Sequence, residues 1–214
     1  VVLNQSVKNG KWDVKKAKPV FRLKGRVLGL VGFGNIPQTL AVKAQSFGLK
    51  VMAYDPFVPS SIADALGVKL VRLEELLQTS DFVSVHLPLN RETKGIISRQ
   101  AFELMKKEAF IINTARGPVI DESALIRALS EKRIAGAALD VVEKEPIDPN
   151  SRLLNMEEVI LTPHAAWYSE EAEFELKRKS AQNIVDVLNG YYPDYMVNPS
   201  VKSRLRLSKK ERKR

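Results

Sequence analysis

The chain has 214 residues, 44% hydrophobic and 28% charged, which suits a soluble domain with a substantial core. No run approaches the roughly 20 apolar residues of a membrane-spanning helix, and the lack of cysteine excludes disulfides and thiolate metal sites and fits a reducing cytoplasm. The formal charge of +9 sits mostly in "KSRLRLSKKERKR" at 202–214, which leaves only +2 for all preceding residues and so implies no basic nucleic-acid-binding face on the domain.

Residues 1–24 are polar, start without methionine and carry Pro19 near their end; they read as a connector from a domain upstream. From there on, short apolar runs alternate with segments of helical spacing. The predicted strands are "RVLGLVG", "KVMAYD", "VKLV", "DFVSVHL", "AFIINTA", "AGAALDV" and "VILTP", and the predicted helices run over 38–47, 60–66, 73–78, 98–105 and 122–132. Asp121 occupies an N-cap position with Glu122 in the first turn. Strands apolar nearly throughout belong to a parallel sheet covered on both faces, so residues 25–168 read as an α/β domain with a doubly wound, Rossmann-like parallel sheet. A last helix is predicted from about Ser169 to a stop at Gly190. Ala181, Ile184, Val185 and Leu188 form its inward stripe and "KRK" at 177–179 its wet face, so that 169–214 is a returning helix and basic tail.

"GFGNIP" at 32–37 follows a strand and opens a helix, the setting in which glycines cradle a dinucleotide diphosphate. Gly32 permits the tight turn, Gly34 lets backbone amides approach the diphosphate, and the helix N-terminus favours its charge. A third glycine normally allows close helix–strand packing, and Pro37 stands there instead. Proline is tolerable in a first turn, where amides have no intrahelical acceptor and its fixed φ already suits a helix; one amide donor is lost. Asp55 ends the next strand 21 residues after Gly34, near the spacing of a carboxylate that accepts the ribose hydroxyls and repels a 2′-phosphate, so NAD is expected rather than NADP.

The chain has two histidines, His86 and His164, and a general acid of ordinary pKa must be one of them. Both end apolar strands, whose carboxyl ends face the ligand crevice of an open parallel sheet. Position alone leaves the choice open. Arg116 in "NTARGPVID" ends another such strand, where a guanidinium can hold a carboxylate through two hydrogen bonds. "LDVVEKEP" adds Asp140, Glu143 and Glu145, and a carboxylate beside an imidazole favours its protonated form and fixes its tautomer.

"GFGNIPQTLA", "YDP", "HLPLNRETKGII", "NTARGPVIDESAL", "GAALDVVEKEP" and "LTPHAAWYS", in that order, resemble the D-isomer-specific 2-hydroxyacid dehydrogenase family, and "PHAAWYSEEA" is most similar to its C-terminal-binding-protein-like branch. The resemblance implies a catalytic trio of Arg116, Glu145 and His164. It implies NAD contacts at Gly32, Gly34, Asn35, Ile36, Asp55, Pro88, Thr93, Thr114, Ala115 and Asp140, and a substrate pocket lined by Trp167. The implied reaction is hydride transfer between nicotinamide and C2 of a small 2-keto or 2-hydroxy acid, with no metal, in a cytoplasmic homodimer. The family builds its substrate domain mainly from residues upstream, so this stretch alone is expected to bind NAD and turn over feebly. An NAD-sensing corepressor-like interaction protein is the alternative, and the basic tail offers nucleic acid only salt-sensitive, nonspecific contact.

Overall fold

A computed structural model describes residues 2–17 and 19–208, and the chain divides into two compact units, Val1–His164 and Ala165–Arg214. In the first, helix α1 (Val2–Lys8) precedes strands β1 (Val27–Val31), β2 (Lys50–Tyr54), β3 (Lys69–Leu70), β4 (Phe82–Val85), β5 (Phe110–Asn113), β6 (Gly136–Leu139) and β7 (Val159–Leu161). Helices α2 (Asn35–Ser46), α3 (Ser60–Ala65), α4 (Leu73–Thr79), α5 (Arg99–Leu104) and α6 (Glu122–Ser130) lie between successive strands. The sheet order is β3-β2-β1-β4-β5-β6-β7 and every neighbouring pair is parallel. All seven predicted strands are present, and the doubly wound α/β fold is the one expected from their alternation with helices.

The period of two along β1 explains the layering. Leu28 and Leu30 point into a core shared with Phe33, Ala41, Ala44, Val51 and Val68, whereas Val31 faces the second core, with Leu76, Phe102, Ile111 and Leu125. Each fully buried side chain of this size contributes about 1.5–3 kcal/mol. Gly29 of β1 permits the contact with α4: a Cβ there would lie 2.2 Å from Ser80 Oγ and 2.6 Å from Leu76 Cδ2.

At the amino end of the sheet, Asp81 accepts from the Val27 amide (2.8 Å), Arg26 Nη1 (3.2 Å) and Lys106 Nζ (3.1 Å). Burial opposes its ionisation, but the Val27 amide and the two cations outweigh that and hold its carboxyl below the usual carboxylate range. At the other end, strand order reverses between β1 and β4, and in such sheets the crevice outside the strand carboxyl ends is where ligands sit. The loops after β1, β4, β5 and β6 open there.

One sequence expectation gains local detail and another needs correction. Residues 1–24, read as a connector, contain α1 and a 3-10 turn at Val14–Ala17, and the Ser6 hydroxyl, in a residue only 6% exposed, donates to the Lys11 carbonyl at 2.8 Å. A seven-residue helix without an acidic first turn leaves little trace in a polar sequence. In the second unit, helix α7 (Glu170–Leu188) starts where expected, with Ser169 Oγ accepting from the Ala172 amide at 3.0 Å. Its predicted inward stripe is not buried, since Ala181 is exposed, Ile184 is 63% exposed, Leu188 is 80% exposed, and Asp186 is the buried residue of the helix. Helical periodicity shows which face is apolar but not whether these residues supply something to cover it. The unit continues through Gly190 (φ 80°) to a bridge between Tyr191 and Ser208. Of the basic stretch 202–214, residues 209–214 lie outside the described residues.

Candidate active site and coenzyme cleft

The loop after β1 tightens at Gly32, whose φ of 95° favours glycine and where a Cβ would meet the His86 backbone at 3.1 Å. Gly34 differs, because no atom lies within 4 Å of the position its Cβ would take. Gly34, Asn35 and Ile36 are exposed, and α2 begins at Asn35 with no acid in its first turn. The result is an open row of amides at the positive end of a twelve-residue helix. Pro37 is the third residue of that helix, its ring buried, so it fills the packing role of the missing glycine without interrupting the helix.

Asp55 stands beside this loop. One of its oxygens accepts from the Phe33 amide (2.8 Å) and the other from the amides of Phe57 (2.9 Å) and Val58 (3.1 Å). A carboxylate offers about four acceptor sites, so one remains for a ribose hydroxyl while one pins the glycine loop at Phe33 and two hold the turn after β2 at Phe57 and Val58. A cleft of about 770 Å³ runs from Gly34, Asn35, Ile36 and Pro37 past His86, Pro88 and Leu89 to Thr114, Ala115 and Arg116. These residues fit a dinucleotide: amides for a diphosphate, a carboxylate for a ribose, and no bulky side chain at Gly34. Thr93 does not line this cleft. Its hydroxyl donates to the Pro88 carbonyl at 2.6 Å and accepts from the Asn90 amide at 2.8 Å, so it staples the loop that carries Pro88.

The two histidines separate cleanly. His86 lines the cleft, and burial pushes its imidazole down to about 4, so the ring is neutral near pH 7, with Nε2 2.9 Å from Ser84 Oγ. His164 presents Nδ1 to Glu145 Oε2 at 2.8 Å, both side chains partly exposed. Its backbone sits in the left-handed region at φ 54°, a conformation that costs a non-glycine residue free energy, and its amide is held by the carbonyls of Asp140 (2.8 Å) and Thr162 (3.0 Å). Asp140 is 6% exposed and accepts from Thr162 Oγ1 at 2.5 Å. A second cavity of about 610 Å³ opens on His164, Glu145, Asp140 and Thr162, with Ile147 and Leu161 among its apolar walls.

Arg116 lines the first cavity and the histidine pair the second. Arg116 is exposed, its Nη1 donates to the Ala115 carbonyl at 2.6 Å, and among the described residues it pairs with no carboxylate. Contacts invisible in sequence join the two cavities. Asn113, 1% exposed, accepts from the Ala115 amide (3.0 Å) and donates to the Arg116 carbonyl (3.0 Å), fixing both residues. Gly117 abuts the next loop so closely that a Cβ would fall 1.7 Å from the Val142 carbonyl oxygen. Trp167 belongs to the second unit, where it is half exposed and packs edge-on against Tyr168 at 5.6 Å.

The profile of the D-isomer specific 2-hydroxyacid dehydrogenase NAD binding domain matches residues 2–166. The chain belongs to this family. It is 43% identical over 194 residues to the D-3-phosphoglycerate dehydrogenase of Methanocaldococcus jannaschii, covering 90% of this chain and 37% of that protein. To the glyoxylate reductase of Korarchaeum cryptofilum it is 41% identical over 204 residues, covering 94% and 61%. The crystal structure of D-lactate dehydrogenase with NAD+ from Lactobacillus jensenii superposes with a TM-score of 0.80 at 26% identity, over 91% of this chain and 62% of that one. The chain thus spans between 37% and 61% of the length of these curated relatives. Among the described residues no helix is long and apolar enough to cross a membrane.

Proposed function

We propose that this chain carries the coenzyme-binding and acid–base half of an NAD-dependent oxidoreductase acting on small 2-keto or 2-hydroxy acids. The observation that carries the reading is the His164–Glu145 pair, 2.8 Å apart, beyond a parallel sheet whose neighbouring strand ends form a dinucleotide cleft.

Gly34, Asn35 and Ile36 hold the diphosphate, Asp55 a ribose, and Pro88, Thr114, Ala115 and Asp140 the nicotinamide half, with Thr93 acting through Pro88. The bound nicotinamide supplies or accepts the hydride at C2. Arg116 grips the substrate carboxylate and polarises the adjacent carbonyl, a task its planar fork suits. Glu145 accepts from Nδ1 of His164, which leaves Nε2 to give a proton to the carbonyl oxygen in reduction and to take it back in oxidation. His86, neutral and engaged by Ser84, has no part in that transfer.

Because the curated relatives are longer, the 214-residue chain alone is expected to turn over slowly, without the closure that excludes water from a reacting site. The test is His164→Ala, assayed by NADH fluorescence titration and by single-turnover NADH oxidation with excess 2-keto acid. NADH affinity is expected to stay within about twofold while the oxidation rate falls roughly 10²- to 10⁴-fold, the usual share of acid catalysis. Equal loss of both would refute the role given to His164.

A further inference from the structure

We propose that Glu122 is a positioning residue, which holds the backbone of residues 142–143 so that Glu145 and His164 keep their place relative to Arg116. The proposal rests on the reading of Arg116, Glu145 and His164 given above.

Arg116 and Glu122 are the two ends of one short segment, which passes through the 3-10 turn Gly117–Val119 and enters α6. Both its beginning and its end touch the loop after β6. Gly117 lies against the Val142 carbonyl, where no Cβ fits, and Glu122 Oε2 accepts from the Glu143 amide at 2.9 Å. Two residues further on, Glu145 bends back, its Oε1 accepting from the Val142 amide at 3.3 Å while Oε2 meets His164 Nδ1 at 2.8 Å. The carboxylate that orients the imidazole is therefore anchored on the peptide unit adjoining the one that Gly117 and Glu122 hold.

The void between these groups measures only about 10 Å³, room for at most a single water. The two loops must move together. Glu122 is itself fixed, because Asp121 caps α6 by accepting from the Ala124 amide at 3.0 Å. A bond from an ionised carboxylate to an amide is the strong kind of backbone anchor. Nothing in α6 requires an acid at this position for packing, since the buried residues of that helix are Ala124, Leu125, Ala128 and Leu129.

The test uses the 214-residue chain labelled with 15N and two NMR readouts that do not need turnover. Long-range 1H–15N correlations report which ring nitrogens of each of the two histidines carry a proton, with His86 as internal control; amide hydrogen exchange reports Glu143. In the unaltered chain His164 is expected to carry its proton on Nδ1. In Glu122→Ala, His164 is expected to become a mixture of tautomers and the Glu143 amide to exchange about tenfold faster or more, as befits a lost charged hydrogen bond. Glu122→Gln retains an oxygen acceptor and is expected to restore both signals, whereas Glu122→Asp, too short to reach, is expected to behave like the alanine variant even if the latter folds poorly. An Nδ1 proton and a protected Glu143 amide in both Glu122→Ala and Glu122→Asp overturn the proposal. Absence of the Nδ1 proton in the unaltered chain strikes instead at the pairing of His164 with Glu145.

Discussion

Replacing Gly117 with alanine puts a methyl group into the backbone of the facing loop. The added Cβ would lie 1.7 Å from Val142 O, 2.1 Å from its carbonyl carbon and 2.7 Å from Glu143 N, whereas real Cβ atoms keep at least 3.0 Å from such neighbours. No flexible side chain is there to yield, so the two loops must part by about 1.3 Å. Overpacking of this kind costs about 1–3 kcal/mol, and in a chain of this size each kcal/mol lowers the melting temperature by about 2–4 °C. The separation also drives Arg116 from the Glu145–His164 pair, and a displacement of about 1 Å between reacting groups can cost on the order of 10²-fold in rate. Gly117 does not itself line the cleft that begins at the Gly34 cradle. Thermal unfolding, NADH fluorescence titration and single-turnover oxidation on Gly117→Ala are thus expected to show lower stability, near-normal NADH affinity and a steep loss of rate. A variant that melts and turns over like the unaltered chain would refute the claim that this contact holds the two loops together.

Asp81→Asn is expected to cost roughly 1.5–3 kcal/mol at pH 7, as a charged hydrogen-bond acceptor is lost. Because the Asp81 carboxyl is held below its ordinary 3.8, its contribution is full above that pH and disappears as pH falls through the folded value, so urea titrations of variant and unaltered chain should converge in acid. His86 lies the other way about: the unfolded ring, near 6.5, takes up protons that the folded ring refuses until about 4. Stability attributable to His86 is therefore full above pH 6.5 and falls as pH drops toward 4, and His86→Asn should flatten that part of a urea-midpoint profile measured from pH 7 to pH 5. Asp55→Ala frees the amides of Phe33, Phe57 and Val58 and is expected to speed exchange of the Phe33 amide and weaken NADH binding at least tenfold by fluorescence titration.

Much of the fold is written in local chemistry. Each β-branched apolar run between Val27 and Leu161 is a strand, and the cap at Asp121 is as its sequence position implies, because these signals act within one element. The glycine loop and Asp55 were legible for the same reason: strand, turn and helix follow one another in the chain. The contacts that join the reacting groups are of another kind. Asn113 under Arg116, Gly117 against Val142 and Glu122 on Glu143 depend on which strand lies beside which, and no spacing in the sequence reports it. Thr93, which its place in a motif marks as a cofactor contact, also has a role that the motif does not report, as its hydroxyl donates to the Pro88 carbonyl. On α7, periodicity marks which residues share an apolar face, but not that Ile184 and Leu188 on it are exposed.

The most direct test is NADH binding to Gly34→Val, followed by calorimetry alongside thermal unfolding. The extended backbone of Gly34, at φ −74°, accepts any side chain, and no atom lies within 4 Å of the added Cβ, so the melting temperature is expected to stay put. The valine occupies the diphosphate cradle, and the heat of binding seen with the unaltered chain is expected to vanish. A valine variant that binds NADH as tightly as the unaltered chain would contradict the account, and so would an unaltered chain that takes up no NADH at all.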